Sequence, residues 1–388
     1  MFLQPGPNGE PPLNVPRMLP GFYELVKHMV QQKLECFYER TEIPKDAPQK
    51  SSFGDVDVIV DGPLHDITPE VIAEALDAVR YVANGRTVSY AMKWPDQDPD
   101  EDPKYIQVDV EEVDCPDWEW SLFVKAYGDM RQIIAVLHRR LGLSFTDKGL
   151  FARIEEMEAV NRKKSLVFLS NDPDDVLQFL GLDPGPYHRG FALEEDLFEW
   201  IVTCRFFNRE NATAKTEKAN DRRRLMQRHM YRCFFQEWLP MVPIVMSESN
   251  SYTRKQVLHM SLQHFDAHDA YQQRLVAHLI TMRELNFWKL VKTRIPGGKH
   301  SSRQAIRALK SWIDIQDGVL LLRSVPLDVD ADQPTWAAAV CRKHHLFTPD
   351  HQPKESNKEL QAVLEFLHIT WESAVALEKR RTTLQSEV

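Results

Sequence analysis

No stretch of this 388-residue chain reaches the run of about eighteen apolar residues that a membrane-spanning helix needs, so no membrane partner is expected. Its first residues, Met1-Phe2-Leu3-Gln4-Pro5-Gly6-Pro7, lack the basic start and apolar core of a secretory leader. Cysteine is sparse: Cys36, Cys115, Cys204, Cys233 and Cys341 are scattered, and none lies in a Cys-x-x-Cys pair. That excludes a disulfide framework and a zinc ribbon, and it suits reduced thiols in a cytoplasmic or nuclear protein. No Gly-x-Ser-x-Gly elbow, Cys–His nucleophile set, Walker A loop or dinucleotide fingerprint is present, and no fixed-period repeat is visible. What remains is 43% hydrophobic and 27% charged, the composition of an ordinary folded protein of one or two domains.

The net charge of −9 is unevenly spread. Residues 1–120 hold 24 acidic side chains against 10 basic ones, whereas residues 201–310 hold 20 basic against 8 acidic. An acidic lobe followed by a basic one fits a metal-binding centre beside a surface that holds polyanions, and equally two solvated surfaces of unequal charge.

The pattern of apolar residues predicts an α+β fold. Residues 1–20, rich in proline, read as an extended arm. A helix is expected over 21–33, a strand over 34–42 and a clearer strand from Gly54 to Val60, with Val56, Val58 and Val60 on one face. Thr68-Pro69-Glu70 has the form of a helix start, and the helix is expected to continue to Tyr81 before Asn84-Gly85 stops it. Further strands are predicted over 86–94 and 105–113, separated by an acidic, proline-containing loop. A helix over 129–141, short strands near 150–154 and 166–169, and a helix capped by Asn171-Asp172-Pro173-Asp174-Asp175 complete this part. From about Glu194 onward the pattern is almost wholly helical, with its longest run from Thr253 to Arg294, one very long helix or two in sequence, and further helices at 301–313, 335–346 and 356–380. The expected organisation is an α+β domain over 21–170, built on a mixed sheet with flanking helices, and a mostly α-helical domain over 171–388.

The segment Ser51-Ser52-Phe53-Gly54-Asp55-Val56-Asp57-Val58-Ile59-Val60 carries the strongest chemical signal. Alternation along a strand puts Asp55 and Asp57 on one face and the valines on the other. Like charges side by side are poor strand formers, and a divalent cation compensates them directly. The strand over 105–113 repeats the arrangement, with Gln107, Asp109 and Glu111 opposite Ile106, Val108 and Val110. If the two strands are neighbours, Asp55, Asp57 and Asp109 gather around one or two hard cations, Mg²⁺ or Mn²⁺.

Gly-Asp-x-Asp followed by apolar residues, a helix and then an apolar-Asp-apolar strand resembles the nucleotidyltransferase superfamily of the DNA-polymerase-beta type, over roughly residues 34–140. The resemblance implies Asp55, Asp57 and Asp109 as catalytic metal ligands. It also implies an NTP donor and transfer of a nucleoside monophosphate with loss of pyrophosphate. That superfamily places a Gly-Ser pair about ten residues before the first acid to contact the triphosphate. Here Lys50-Ser51-Ser52-Phe53-Gly54 abuts Asp55 instead, which makes Ser51, Ser52 and Gly54 the candidate nucleotide contacts of a shortened loop. The alternative is a catalytically inactive member serving as a nucleic-acid or protein-binding scaffold.

Other candidates are basic. Arg222, Arg223, Arg224, Arg228 and Arg232 fall at helical spacing among apolar residues. Of these, Arg223, Arg224 and Arg228 are the candidates for holding RNA or another polyanionic acceptor, the alternative being a solvated helix face. Lys299, Arg303, Arg307 and Lys310 form a second basic set. Lys93, Lys125 and Arg131 lie near the expected cleft, and Trp118 and Trp120 offer either base stacking or packing between lobes. His264 and His268 have the spacing of a metal pair but no evident third ligand.

Overall fold

Alternation in the strands is what builds the main sheet. In β2 (Asp55–Pro63), Val56, Val58 and Val60 are wholly buried, and in β5 (Tyr105–Glu112), Ile106, Val108 and Val110 are buried with them. The mixed five-stranded sheet has the order β1-β2-β5-β4-β3, with β1 Tyr38–Glu42, β3 Ala78–Asn84 and β4 Thr87–Lys93. Only β2 and β5 run parallel; the other neighbours are antiparallel. Helices α1 (Pro20–Leu34) and α2 (Pro69–Ala75) cover the valine face, burying Tyr23, Val26, Val30, Leu34 and Ile72 against it. The structure is a computed structural model that describes residues 2–4, 9–98, 100–209, 219–242, 252–295, 299–316 and 319–322, with isolated helical residues between 371 and 383.

The opposite face of the sheet is polar toward its middle and closed at one end. There Ile59 packs with Val113, Trp118 and Leu122 of α3 (Trp118–Lys125). Trp118 and Trp120 are 5% and 0% exposed, so they are packing residues and offer no face to a base. Helix α4 (Met130–His138) ends through a tight turn at Gly142, whose φ of 86° suits glycine. It leads into a second, antiparallel sheet of β6 (Leu143–Thr146), β7 (Gly149–Arg153) and β8 (Leu166–Ser170). After a short turn, α5 (Glu155–Glu158), and β8 come α6 (Pro173–Leu180), α7 (Pro184–Arg189) and α8 (Glu194–Val202).

Two expectations are corrected. The helix expected over 68–81 stops at Ala75, because Asp77 turns left-handed at φ 52° and the chain re-enters the sheet as β3. Asn84-Gly85 is accordingly a hairpin turn. Asn84 pairs with Thr87, and Gly85, with φ 64°, takes the first place of a two-residue connection where such turns require glycine. The arginine-rich run is broken as well: α9 (Ala219–Gln227) ends before Arg228, which is extended, and α10 (His229–Arg232, wound on as a π-helix to Trp238) begins after it. Of the two readings of the long run, one helix or two in sequence, the structure has the second: α11 (Arg254–His264) and α12 (His268–Arg294), separated at Asp266, whose φ is 49°.

The chain divides into two compact units, Met1–Asp269 and Ala270–Val388. In the second, Phe287, Trp288 and Val291 of α12 are buried, as are Ala305, Ala308 and Leu309 of α13 (Lys299–Trp312). Two antiparallel strands, β9 (Ile313–Gln316) and β10 (Val319–Leu322), follow, in a part whose pattern reads as almost wholly helical. The helix expected at 335–346 and most of that at 356–380 lie outside the described residues.

Candidate active site

The parallel pairing of β2 and β5 decides where the carboxylates go. Asp57 is in register with Asp109 and Asp55 with Gln107, so Asp55, Asp57, Gln107, Asp109 and Glu111 share the polar face of two adjacent strands. Ser89 of β4, buried, stands in register beside Asp109. The three aspartates are therefore brought to one patch of one sheet. Burial raises the Asp55 carboxyl above its ordinary range, and the neighbouring Asp57 and Asp109 carboxylates raise it further, with Lys50 working in the other direction.

Protein cations already answer part of this charge. Lys125, at the end of α3, reaches Asp57 at 3.1 Å and Glu111 at 2.8 Å. Burial works against the Lys125 ammonium, but Asp57 and Glu111 outweigh it and its pKa is raised. Gln107 donates its amide N–H to both oxygens of Asp109, at 3.0 and 3.1 Å. These partners hold the carboxylates individually. Among the described residues, the trio of ligand atoms that lies within 4.8 Å of one another is elsewhere, at Glu194, His229 and Cys233. The aspartate donor set is nevertheless all oxygen, on adjacent strands and mutually repelling, which is the chemistry that suits Mg²⁺ or Mn²⁺.

A cleft of about 400 Å³ opens on Asp55 and Asp57 and has a cationic lining: Lys45, Lys50, Lys125, Arg131 and Arg228. Arg131 is half-buried, its Nε has no hydrogen-bond partner, and burial followed by the nearby Arg224 lowers its pKa. A guanidinium held in that condition is suited to an anion that enters the cleft. Arg228 donates to Asp129 at 2.7 Å while lining the same space. The opposite edge is fixed by Asp46, which accepts from Tyr23 Oη at 3.1 Å and Lys27 Nζ at 3.2 Å.

The remaining candidates are dispersed. Ser52 accepts from Arg17, at 2.8 Å on its hydroxyl and 2.6 Å on its carbonyl oxygen, while Phe53 bridges to Met18. The amino-terminal arm thus docks on the loop that carries Ser51, Ser52 and Gly54. A Cβ on Gly54 would lie 3.1 Å from the Arg17 guanidinium. Arg224 pairs with buried Asp221 at 3.0 Å, whereas Arg223 is exposed. Lys93 pairs with Asp77. In the second basic set, Arg307 faces Glu378 at 3.5 Å and Lys310 lies over the Trp288 ring. His264 hydrogen-bonds Asp175 at 2.8 Å. Lys45, Asp46 and Lys50 were not singled out from the sequence, since they lie in a polar loop without periodicity and only the fold brings them to the acids.

No family model matches this chain, and no curated protein sequence matches it. Among solved structures, it is similar to the crystal structure of Leishmania infantum polymerase beta in a ternary P/T complex. That likeness has 16% sequence identity and a TM-score of 0.33, and it covers 43% of this chain and 74% of the other. It is a partial structural resemblance.

Proposed function

We propose that this chain is a metal-dependent nucleotidyltransferase. It moves a nucleoside monophosphate from an NTP to an acceptor hydroxyl, with an RNA end or another polyanion as the acceptor class. The observation that carries this reading is the register of Asp57 against Asp109, with Asp55 on the same face beside a cleft lined with cations. Asp55, Asp57 and Asp109 are the ligands for Mg²⁺ or Mn²⁺, which when bound neutralises phosphate charge and lowers the pKa of the attacking hydroxyl. Arg131 and Lys50 bind phosphate oxygens by charge-assisted hydrogen bonds. Lys125 orients Asp57 and Glu111 through its two ion pairs. The acceptor oxygen bonds to the α-phosphorus as the bond to the pyrophosphate oxygen breaks, and the acceptor proton passes to Asp109 or to solvent.

The test is incubation of the full chain with each labelled NTP, Mg²⁺ or Mn²⁺ and total RNA, following label into RNA, protein or a small product. Asp57→Asn is expected to reduce transfer by roughly a hundred- to a thousand-fold while leaving the fold intact. Transfer by Asp57→Asn at the wild-type rate would exclude this site as the catalytic one.

A second reading is favoured by Arg17 and Lys125, which engage Ser52 and Asp57 in the positions a nucleotide and its metal would use. It is a catalytically silent protein of this fold that binds nucleic acid or protein. Nucleotide or RNA binding with no label transferred under any metal would select it.

A further inference from the structure

Outside the aspartate cleft, α8 and α10 bring three different kinds of ligand atom together. His229, Cys233 and Glu237 follow one another at four-residue spacing, so the helix stacks them along one face. The Cys233 sulfur lies 3.4 Å from His229 Nδ1, 3.7 Å from Nε2 and 3.6 Å from Glu237 Oε2. Glu194, in the first turn of α8, completes a group in which a carboxylate oxygen, a ring nitrogen and a sulfur all lie within 4.8 Å of one another. From Cys233 the helix widens into a π-helical turn, an uncommon winding that recurs at functional sites.

Hydrogen bonding alone accounts for this group poorly. A thiol has one weak proton to donate, and here it is surrounded by an imidazole and two carboxylates, all of which accept. Arg232 answers Glu237 at 3.6 Å, but no arginine or lysine among the described residues forms a salt bridge to Glu194. A divalent ion satisfies every member at once. We propose that Glu194, His229 and Cys233 form a binding site for Zn²⁺, with Glu237 within reach of the fourth position. Thiolate and imidazole suit zinc and are poor ligands for Mg²⁺, so the site is chemically distinct from the all-oxygen aspartates. On binding, the S–H bond of Cys233 gives way to a sulfur–metal bond and the proton leaves to solvent. The ion joins α8 to α10 immediately after Arg228, which lines the aspartate cleft, and so fixes the turn that carries this arginine. The site is independent of the catalytic reading and stands or falls without it.

The test uses full-length protein stripped of metal with a chelator and titrated with Co²⁺ and then Zn²⁺. The expected result is a thiolate-to-cobalt charge-transfer band that saturates at one equivalent and is removed by one equivalent of zinc. Cys233→Ser should abolish the band. His229→Gln, at an exposed position that leaves the core untouched, should weaken zinc binding by about a hundred-fold or more, beyond what loss of a supporting group costs. Asp57→Asn should keep the band. Circular dichroism of each variant establishes that it is folded. No band in the wild type, a band retained in Cys233→Ser, or zinc affinity unchanged in His229→Gln would each overturn the proposal.

Discussion

His138 shows what burial does to a single titratable group in this fold. It is wholly enclosed; its Nδ1–H donates to the Ile134 carbonyl at 2.7 Å and its Nε2 lies 3.0 Å from the Cys204 sulfur. Burial pushes its pKa down to about 4, and pushes the Cys204 thiol up to about 12. Both groups are therefore neutral and structural at pH 7, although a histidine against a cysteine resembles a nucleophile pair on paper. The sign of the consequence follows from linkage. The folded pKa lies below the unfolded value near 6.5, so the unfolded chain binds the extra proton first, and stability is complete above pH 6.5 and lost as pH falls toward 4. The loss attributable to this residue is about 3 kcal/mol across that window. Urea unfolding at intervals from pH 7.5 to 4 measures it. In His138→Gln the fall over the same interval should shrink by about that amount, whatever the variant's baseline stability.

At the scale of elements, local chemistry and tertiary context divide the chain between them. Helix α6 is set by its own sequence. Asp172 accepts from the backbone N–H groups of Asp174 and Asp175 at 2.9 and 3.1 Å, Pro173 takes the first position, and Gly181 closes the helix at φ 73°. Asp172→Ala should cost about 1 kcal/mol in chemical unfolding, and Asp172→Ser should recover most of it, because serine also caps. Such punctuated elements were legible from the residues alone, as were β2 and β5, whose alternation gave the shared face of Asp55, Asp57 and Asp109. β3 was not legible, because a proline-initiated helix start runs directly into it and only the left-handed turn at Asp77 separates the two. Nor was the break at Arg228 legible: Arg224 and Arg232 are at helical spacing around it, and the extended Arg228 reaches Asp129, which is far away in sequence. Of the cationic wall of the cleft, Lys125 and Arg131 were expected near it and Arg228 was a candidate for a polyanion, whereas Lys45 and Lys50 escaped, because the wall is assembled from a loop, α3, α4 and the junction of α9 and α10.

Over the whole molecule the question is whether the basic excess of residues 201–310 acts on a polyanion or is answered internally. Much of it is answered: Arg224 is held by Asp221, Arg228 by Asp129, Arg254 by Glu158 and Arg307 by Glu378. A cation already paired to a carboxylate gains little from a phosphate and releases few counterions, so net charge overstates the available contacts. Arg223 is different, being exposed on α9 with no ion pair among the described residues. If RNA is held at this surface, binding weakens steeply as salt rises, and Arg223→Gln lowers the slope of log affinity against log salt by about 0.7, the value of one contact to a single strand. Arg224→Gln should behave otherwise, losing folding stability because Asp221, 1% exposed, is left with Arg139 alone. Arg228→Gln should weaken NTP binding at the cleft more than it weakens RNA binding, since its side chain lines the space beside Asp55 and Asp57. A fluorescence titration with single-stranded RNA at four salt concentrations separates the three variants. An affinity indifferent to salt, with Arg223→Gln matching the wild type throughout, would remove the polyanion from this surface. The acceptor in the proposed transfer would then be a small molecule that fits within the cleft.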